Sequence, residues 1–438
     1  MIKKIIKQSI LISIVLCLFI PLIQTIHPFI EFQPLKGSFA LTEKPDSIQE
    51  NWFSGEYQLQ YEKYFNENFG FRGLLVRLNN QIAYSFFNIA KANGVIIGKE
   101  NYLYEENYIK AYYGTDYIGQ EKIQEQVNKL RKIQEALKSL NKDIVVIFAP
   151  GKATYLPEYI PENYNLKKVT NYKAYLKEFN KNNINYLDFN NWFVRMKSTT
   201  KYPLYGKCGI YWSKYGEFLA GDSIVNYIGK LRNVNVPKLI LDSVVVKNIN
   251  ENGDYDVGEG MNLLFKIVTY PMGYPVFHVK IDSNSVQPKV LFVADSYYWG
   301  MFNAGFSKDI FNNGQFWFYN QQIYPDSYEK PVNVSDVNIR EEVEKNDVIV
   351  LLSTDANLYK FPFGFIDQLY DAYFNNNSNT IVFKAAKEKK IQDYMVVIKN
   401  TPEWIKIVKE QAKKENIELE QAIRNNAEYM VWKEGEGK

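Results

Sequence analysis

"KVLFVADSYYWGMF", Lys289 to Phe302, is the stretch on which the fold turns. Val290-Leu291-Phe292-Val293-Ala294 is an unbroken apolar run that predicts a buried strand, and it ends abruptly at Asp295-Ser296. Aromatics and a glycine follow. A serine at the point where a central strand gives way to a helix is a common seat for a nucleophile, and such a serine needs a base, usually a histidine. This chain has two histidines, His27 and His278.

Outward from that strand the same rhythm recurs. "DIVVIFAP" (143–150) and "DVIVLLST" (347–354) are further apolar runs, and "INYLDF" (184–189) and "QFWFYN" (315–320) are shorter ones. Helical patterns alternate with them around 119–140, 171–183 and 214–231. Continuous apolar strands alternating with helices predict a parallel sheet covered on both faces. Upstream, Trp52 to Phe87 reads as helices broken at Phe69-Gly70-Phe71-Arg72, and "GVIIGKENYLYE" (94–105) as a hairpin turning at 98–101. Residues 233–286 alternate like β-structure and read as an insertion at the edge of the sheet. From about 386 the chain predicts a helical hairpin, with Thr401-Pro402-Glu403 opening one helix.

At 438 residues the chain has room for two or three average domains, or one large α/β domain with appendages. A net charge of +3 with no Lys/Arg-dense block beyond the first few residues gives no nucleic-acid footprint. Two cysteines, Cys17 and Cys208, make neither a disulfide framework nor a zinc cluster, and no phosphate-binding glycine loop is present. No metal and no cofactor is expected. Lys3, Lys4 and Lys7 precede an apolar run from Ser9 to Ile26 that is long enough to span a bilayer. That order predicts an uncleaved signal anchor over residues 1–28, single-pass in the cytoplasmic membrane, with the body exported. Residues 29–50, with Pro34, Gly37 and Pro45, read as a linker.

The body, from about Trp52 to Tyr370, resembles the SGNH-hydrolase-like family of alginate and exopolysaccharide O-acetylation proteins. The resemblance rests on five pieces in order: "YEKYFNENFGFRGLLVRLNNQI" (61–82), "VIIGKENYLY" (95–104), "VIFAPGKATYLPEYIPE" (146–162), "KCGIYWSKYG" (207–216) and "VADSYYWGM" (293–301). It implies an α/β fold, an SGNH-like parallel sheet flanked by helices over residues 51–385, carrying the β-rich insertion at 233–286, with the helical hairpin at 386–438. It also implies a periplasmic or extracellular site, a polysaccharide or acetylated glycan as ligand, and a membrane-bound O-acyltransferase as a possible partner.

In that family a catalytic Asp and His stand two residues apart before a Trp. Aligning on Trp212 puts Tyr211 at the histidine and Gly209 at the aspartate, and Ala294 replaces the glycine before Asp-Ser. A phenol with a reference pKa of about 10 is a donor at neutral pH, not a base. Two readings follow. One is a serine-nucleophile O-acetyltransferase or esterase using Ser296, with Asn357 as an oxyanion donor. The other is a catalytically silent relative that binds glycan or scaffolds an acyltransferase. Trp212, Asp295, Tyr297, Tyr298, Trp299 and Thr354 are the candidate substrate-binding residues beside the two motifs. Asp355 follows Thr354 at the end of its strand, where ligands of open α/β sheets gather.

Asp295 reads as a carboxylate capping the turn, Asp254 and Asp256 as a solvated turn, and His278 as a histidine on the solvated face of a strand. Tyr211 is expected within hydrogen-bonding reach of Ser296, with His278 far from it. Restoring both motif residues, with Tyr211→His and Gly209→Asp, is expected to raise any esterase activity by more than about tenfold.

Overall fold

In a computed structural model the described residues are 2–37, 42–45, 52–162, 164, 168–248, 252–375, 379–415 and 417–436. The first elements are α1 (Ile2–Ile26), α2 (Glu56–Asn68), α3 (Arg72–Phe87) and a hairpin of β1 (Val95–Ile97) and β2 (Leu103–Glu105). The break between α2 and α3 and the turn of the hairpin fall where the sequence places them. Then come α4 (Glu106–Tyr113), α5 (Gln120–Ser139), β3 (Asp143–Ala149), α6 (Lys152–Tyr155), α7 (Asn171–Asn182), β4 (Tyr186–Asp188), α8 (Phe189–Met196) and α9 (Lys214–Arg232). The insertion holds β5 (Lys238–Lys247), α10 (Asp256–Gly260) and β6 (Met272–Lys280). The sheet is completed by β7 (Val290–Ala294), then α11 (Trp299–Asn303), β8 (Phe316–Phe318), β9 (Gln322–Tyr324), α12 (Ile339–Glu344) and β10 (Val348–Thr354). After α13 (Phe365–Phe374) come α14 (Asn379–Asn400), α15 (Pro402–Glu415) and α16 (Leu419–Glu436).

The central sheet has the order β4-β3-β10-β7-β8-β9. Its first five strands run parallel, and only β9 is antiparallel. Side chains of one strand alternate between two cores. Val145, Ile147, Phe292, Ala294, Val350 and Leu352 face a core shared with α8 and α9. Ile144, Val146, Leu291, Val293, Ile349 and Leu351 face the opposite one, packed by α5, α7 and α13. Burial on both sides is why these strands read as unbroken apolar runs rather than alternating ones. On α5 the positions Ile123, Val127, Leu130, Ile133 and Leu137 are fully buried, a stripe at three- and four-residue spacing that lays the helix on the sheet.

Two expectations are corrected. The 233–286 insertion does not extend the edge of the central sheet: β5 and β6 form a separate antiparallel pair that packs on α9. The C-terminal unit is three helices rather than two. Ile391, Met395 and Ile398 of α14 share a small core with Val408 and Ala412 of α15 and with Ala422, Ile423 and Ala427 of α16.

Parallel register sets the place of the site. Leu352 pairs with Ala294, and Thr354 with Ala149. The chain therefore leaves β3, β7 and β10 at one edge, bringing Gly151, Asp295-Ser296 and Asp355 together at the C-terminal ends of the strands, the usual ligand edge of open α/β sheets.

Candidate active site

Asp295 is fully buried and anchors that edge. Its Oδ2 accepts hydrogen bonds from Thr354 N at 2.8 Å, Thr354 Oγ1 at 2.9 Å and Asn357 Nδ2 at 2.9 Å. Its Oδ1 accepts from Tyr297 N at 3.1 Å and so caps the short 3-10 turn of Ser296–Tyr298. Burial pushes the Asp295 carboxyl up, against the four donors that pull it down. The arrangement follows from β10 running two residues past the last β7–β10 pair. Thr354 there reaches over the end of the shorter strand.

Ser296, half-buried, lies beyond this lattice. The phenols of Tyr211 and Tyr319 both come close enough to interact with its hydroxyl. Tyr211 comes from the loop before α9, which begins where Ser213 accepts from Gly216 N at 3.1 Å. Burial pushes the Tyr211 phenol up to about 12, more than the Ser296 hydroxyl pulls it down, and the carboxylates of Asp256, Asp295 and Glu105 add to the rise. Tyr319 follows β8 and is likewise raised, first by burial and then by the charge of Asp295. Both phenols are therefore protonated at neutral pH.

The histidines take no part. His278 is exposed on β6, its Nδ1 2.9 Å from Asp242 Oδ2, and His27 follows the end of α1. The structure thus brings Tyr211 and Ser296 together and leaves His278 on the separate two-stranded sheet.

The remaining sequence candidates divide by exposure. Trp212 is buried against Phe189, Phe193 and Tyr297. Tyr297 is buried and donates to Ile210 O at 2.7 Å, and buried Tyr298 stacks on Phe292 at 3.9 Å between ring centroids. Thr354 is buried with its hydroxyl on Asp295. These four side chains, with Asp295, are internal struts and not a ligand-facing wall. Trp299 is half-buried but packs edge-on against Phe316, Phe318 and Tyr324. The Asn357 amide is engaged by Asp295 and, at 3.5 Å, by the Tyr319 hydroxyl.

Several groups escaped the sequence reading. Glu105 at the end of β2 is raised by burial and by Asp256. Lys152, the first residue of α6, is fully buried and donates to Lys207 O at 2.8 Å and Gly209 O at 2.7 Å. Desolvation brings its ammonium down to about 7, while Cys208, Asp256 and Asp254 push it up. Asp355, which the sequence does place at this edge, is buried too; it accepts from Thr154 Oγ1 and from Asn190 Nδ2 at 2.6 Å, and burial lifts it to about 6.

Asp254 and Asp256 are not a solvated turn. The insertion folds back so that the 253–254 backbone lies on the motif loop, and Asp256 Oδ1 accepts from Ile210 N at 3.0 Å. Burial raises both carboxyls to about 6. Gly206 and Gly209 fit against this backbone because they lack side chains: a Cβ on Gly209 would sit 2.0 Å from Gly253 O. The missing carboxylate of the motif therefore has no space, and the expected repair by Gly209→Asp is withdrawn.

Asp254 gives a test of this burial. Its Oδ2 is buried without a hydrogen-bond partner among the described residues. Because the folded form holds its proton more tightly than the unfolded chain, the contribution of Asp254 to stability is intact at low pH and falls as pH rises through about 6. Asp254→Asn is expected to leave the urea midpoint unchanged near pH 4 and to raise stability near pH 8 by about 1 to 3 kcal/mol. An equal effect at both pH values would show Asp254 to be solvated.

Residues 95–256 match the family described as the SGNH hydrolase-like domain of acetyltransferase AlgX. None of the curated proteins compared with this chain matches it. Among solved structures, the O-acetyltransferase domain of Pseudomonas putida AlgJ is similar at 14% identity, covering 64% of this chain and 99% of that one, with a TM-score of 0.43. Pseudomonas aeruginosa AlgX shows 14% identity over 65% of this chain and 71% of its own, TM-score 0.40, and Bacillus cereus PatB1 12% over 58% and 95%, TM-score 0.34. The matched segment runs from the β1–β2 hairpin through the Tyr211 loop to Asp256, and stops before Ser296. On that match and on the parallel sheet that carries Ser296 at its C-terminal edge, the chain has an SGNH hydrolase-like domain and resembles the SGNH-like family of O-acetylation proteins.

Proposed function

We propose that this is a membrane-anchored, extracytoplasmic protein that takes part in O-acetylation of an exopolysaccharide or cell-envelope glycan, and that it does so without a serine triad. The observation that carries the second half is that two tyrosines, their phenols raised by burial, neighbour Ser296 where the chemistry needs an imidazole, while His278 lies on β6 against Asp242. The first half is supported by the family match and by α1. Among the described residues, Ile5–Ile26 is the one helix long and apolar enough to cross a membrane, with a mean hydropathy of 2.5. In this reading an acetylated or acetyl-accepting sugar meets the protein at Ser296, with Tyr211 and Tyr319 as hydrogen-bond donors, beside a membrane-bound O-acyltransferase that performs the transfer. In cells lacking the protein, the acetate content of the glycan is expected to fall and to be restored by both the unchanged chain and Ser296→Ala. Acetate unaffected by removal of the protein would refute the O-acetylation role. Restoration by the unchanged chain alone would refute the silent site.

A second reading is favoured by the Tyr211–Ser296 contact: slow ester chemistry in which a phenolate takes the serine proton. With Tyr211 at about 12, its phenolate fraction at pH 7 is on the order of 10⁻⁵. Any Ser296-dependent turnover of an activated acetyl ester is then expected to climb about tenfold per pH unit through pH 10 without a plateau. A plateau near pH 7 would reveal another base.

A further inference from the structure

We infer that the outer face of α3 lies in the lipid–water interface, so that the body rests on the membrane instead of swinging freely from its anchor. The inference rests on the anchoring read from α1, and goes beyond it by fixing which surface meets the lipid.

The lysines at the start of α1 place its far end, around Gln24–Ile26, on the exported side. That end is built into the body. Gln24 is buried, donating from Nε2 to Ile30 O at 2.6 Å and accepting from Phe29 N and Ile30 N, so the chain turns back immediately on leaving the helix. The α2–α3 corner sits directly on it. Gly70 N donates to Thr25 Oγ1 at 2.6 Å, and a Cβ on Gly70 would lie 2.4 Å from Pro21 O and 2.6 Å from Gln24 Cβ. Phe71 packs between Phe29 and Phe32 at 5.9 and 5.4 Å. Farther along α3, Arg77 donates to Gln33 O at 2.8 Å and Pro34 O at 3.0 Å. The end of the anchor and this corner are thus in direct contact.

The helix that starts there carries two apolar sides. One faces the body: Ala83 is buried, and Asn80 donates to Met261 O at 2.9 Å. The other faces outward. Leu75, Leu78, Ile82 and Phe86 are 45, 42, 44 and 80% exposed. At about 100° per residue these four fall within roughly 80° of arc, a stripe along the whole helix. A water-facing helix surface would carry polar residues at these positions, and a contiguous apolar stripe marks an interaction surface. Because the helix begins at the membrane exit of α1, the occupant at that height is lipid, and helices with one apolar side lie with that side among headgroups and upper acyl chains.

The test uses the full-length chain with Cys17→Ser, reconstituted in vesicles of phosphatidylcholine and phosphatidylglycerol. Single nitroxide labels are placed through Leu78→Cys, Ile82→Cys and Phe86→Cys. Ile14→Cys in α1 serves as the lipid reference and Lys138→Cys, exposed on α5, as the aqueous one. Collisional relaxation by oxygen, which partitions into lipid, is compared with that by a water-soluble nickel chelate. The inference expects an oxygen-to-nickel ratio at positions 78, 82 and 86 several-fold above that at 138. Ratios equal to that at 138, with position 14 still lipid-like, would overturn the inference and leave the anchor intact. A water-like ratio at position 14 would overturn both. Exclusion of both reagents from 78 and 82 would mean that a protein partner or second copy covers the stripe, and would overturn the lipid assignment.

Discussion

Gly209→Asp is expected to destabilise the protein by about 3 kcal/mol or more and to leave Ser296 as unreactive as before. On sequence alone it is a repair, since it writes an acidic residue back two positions before Tyr211. In the structure the site of its Cβ is 2.0 Å from Gly253 O and 2.6 Å from Asp254 C. Both are backbone atoms, so relief requires moving the insertion off the motif loop, not rotating a side chain. Buried Lys152, bonded to the carbonyls of Lys207 and Gly209, holds that loop from its other side. Equilibrium urea unfolding measures the loss. A variant within about 1 kcal/mol of the parent would mean that the insertion does not pack here.

Tyr211→His is the repair the structure admits. It places an imidazole where the phenol meets Ser296, with the carboxylates of Asp256 and Glu105 within electrostatic reach to stabilise its charged form. Reaction of Ser296 with a fluorophosphonate at pH 7.5 is expected to rise by about tenfold or more in this variant. No gain would show that a histidine at this position cannot reach the serine.

Asp295→Ala is the second large effect. It removes the acceptor of two backbone N–H groups, those of Thr354 and Tyr297, and of the Thr354 hydroxyl and the Asn357 amide, all at 3.1 Å or less. The donors are left in a fully buried place where water does not replace the carboxylate, and unmade buried hydrogen bonds cost about 1 to 3 kcal/mol each. A total loss of about 3 to 5 kcal/mol is expected, with the turn of Ser296–Tyr298 released first. Asp295→Asn keeps the shape but points an N–H₂ at one of these donors, so it is expected to lose less than Asp295→Ala and more than a surface change. Indifference to both substitutions, read by thermal and urea unfolding, would show that the strand ends are held by something else.

How much of this was legible in the sequence depends on whether the signal was local. The strands were, because burial on both faces leaves an uninterrupted apolar run such as Val290–Ala294 or Val348–Leu352. The cap by Asp295 was legible for the same reason, as an acid placed where a strand turns into a helix. Tyr211 was found by its place before Trp212, and Ser296 by its strand end.

What sequence could not supply is contact across long separations. "NGDYDVG" has the composition of a solvated turn, and only the return of the insertion onto residues 206–210 buries Asp254 and Asp256. Tyr319 looks like any aromatic closing a short strand until β8 is paired with β7, which puts its N–H on Ala294 O and its phenol beside Ser296. The aromatic residues around the two motifs were ambiguous because rings serve cores and clefts equally well. Burial resolves Trp212, Tyr297 and Tyr298 into the core. The third C-terminal helix was hidden because Val396 and Val397 are exposed between the buried Met395 and Ile398, which blurs the stripe of α14.

The central claim is that Ser296 has no base at neutral pH. Intact-mass measurement of the full-length protein after exposure to excess fluorophosphonate at pH 7.5, with Ser296→Ala alongside, tests it most directly. The absence of a triad predicts no Ser296-dependent adduct over hours at pH 7.5 and a slow one appearing only toward pH 10. Rapid, stoichiometric modification of Ser296 at pH 7.5 would contradict it.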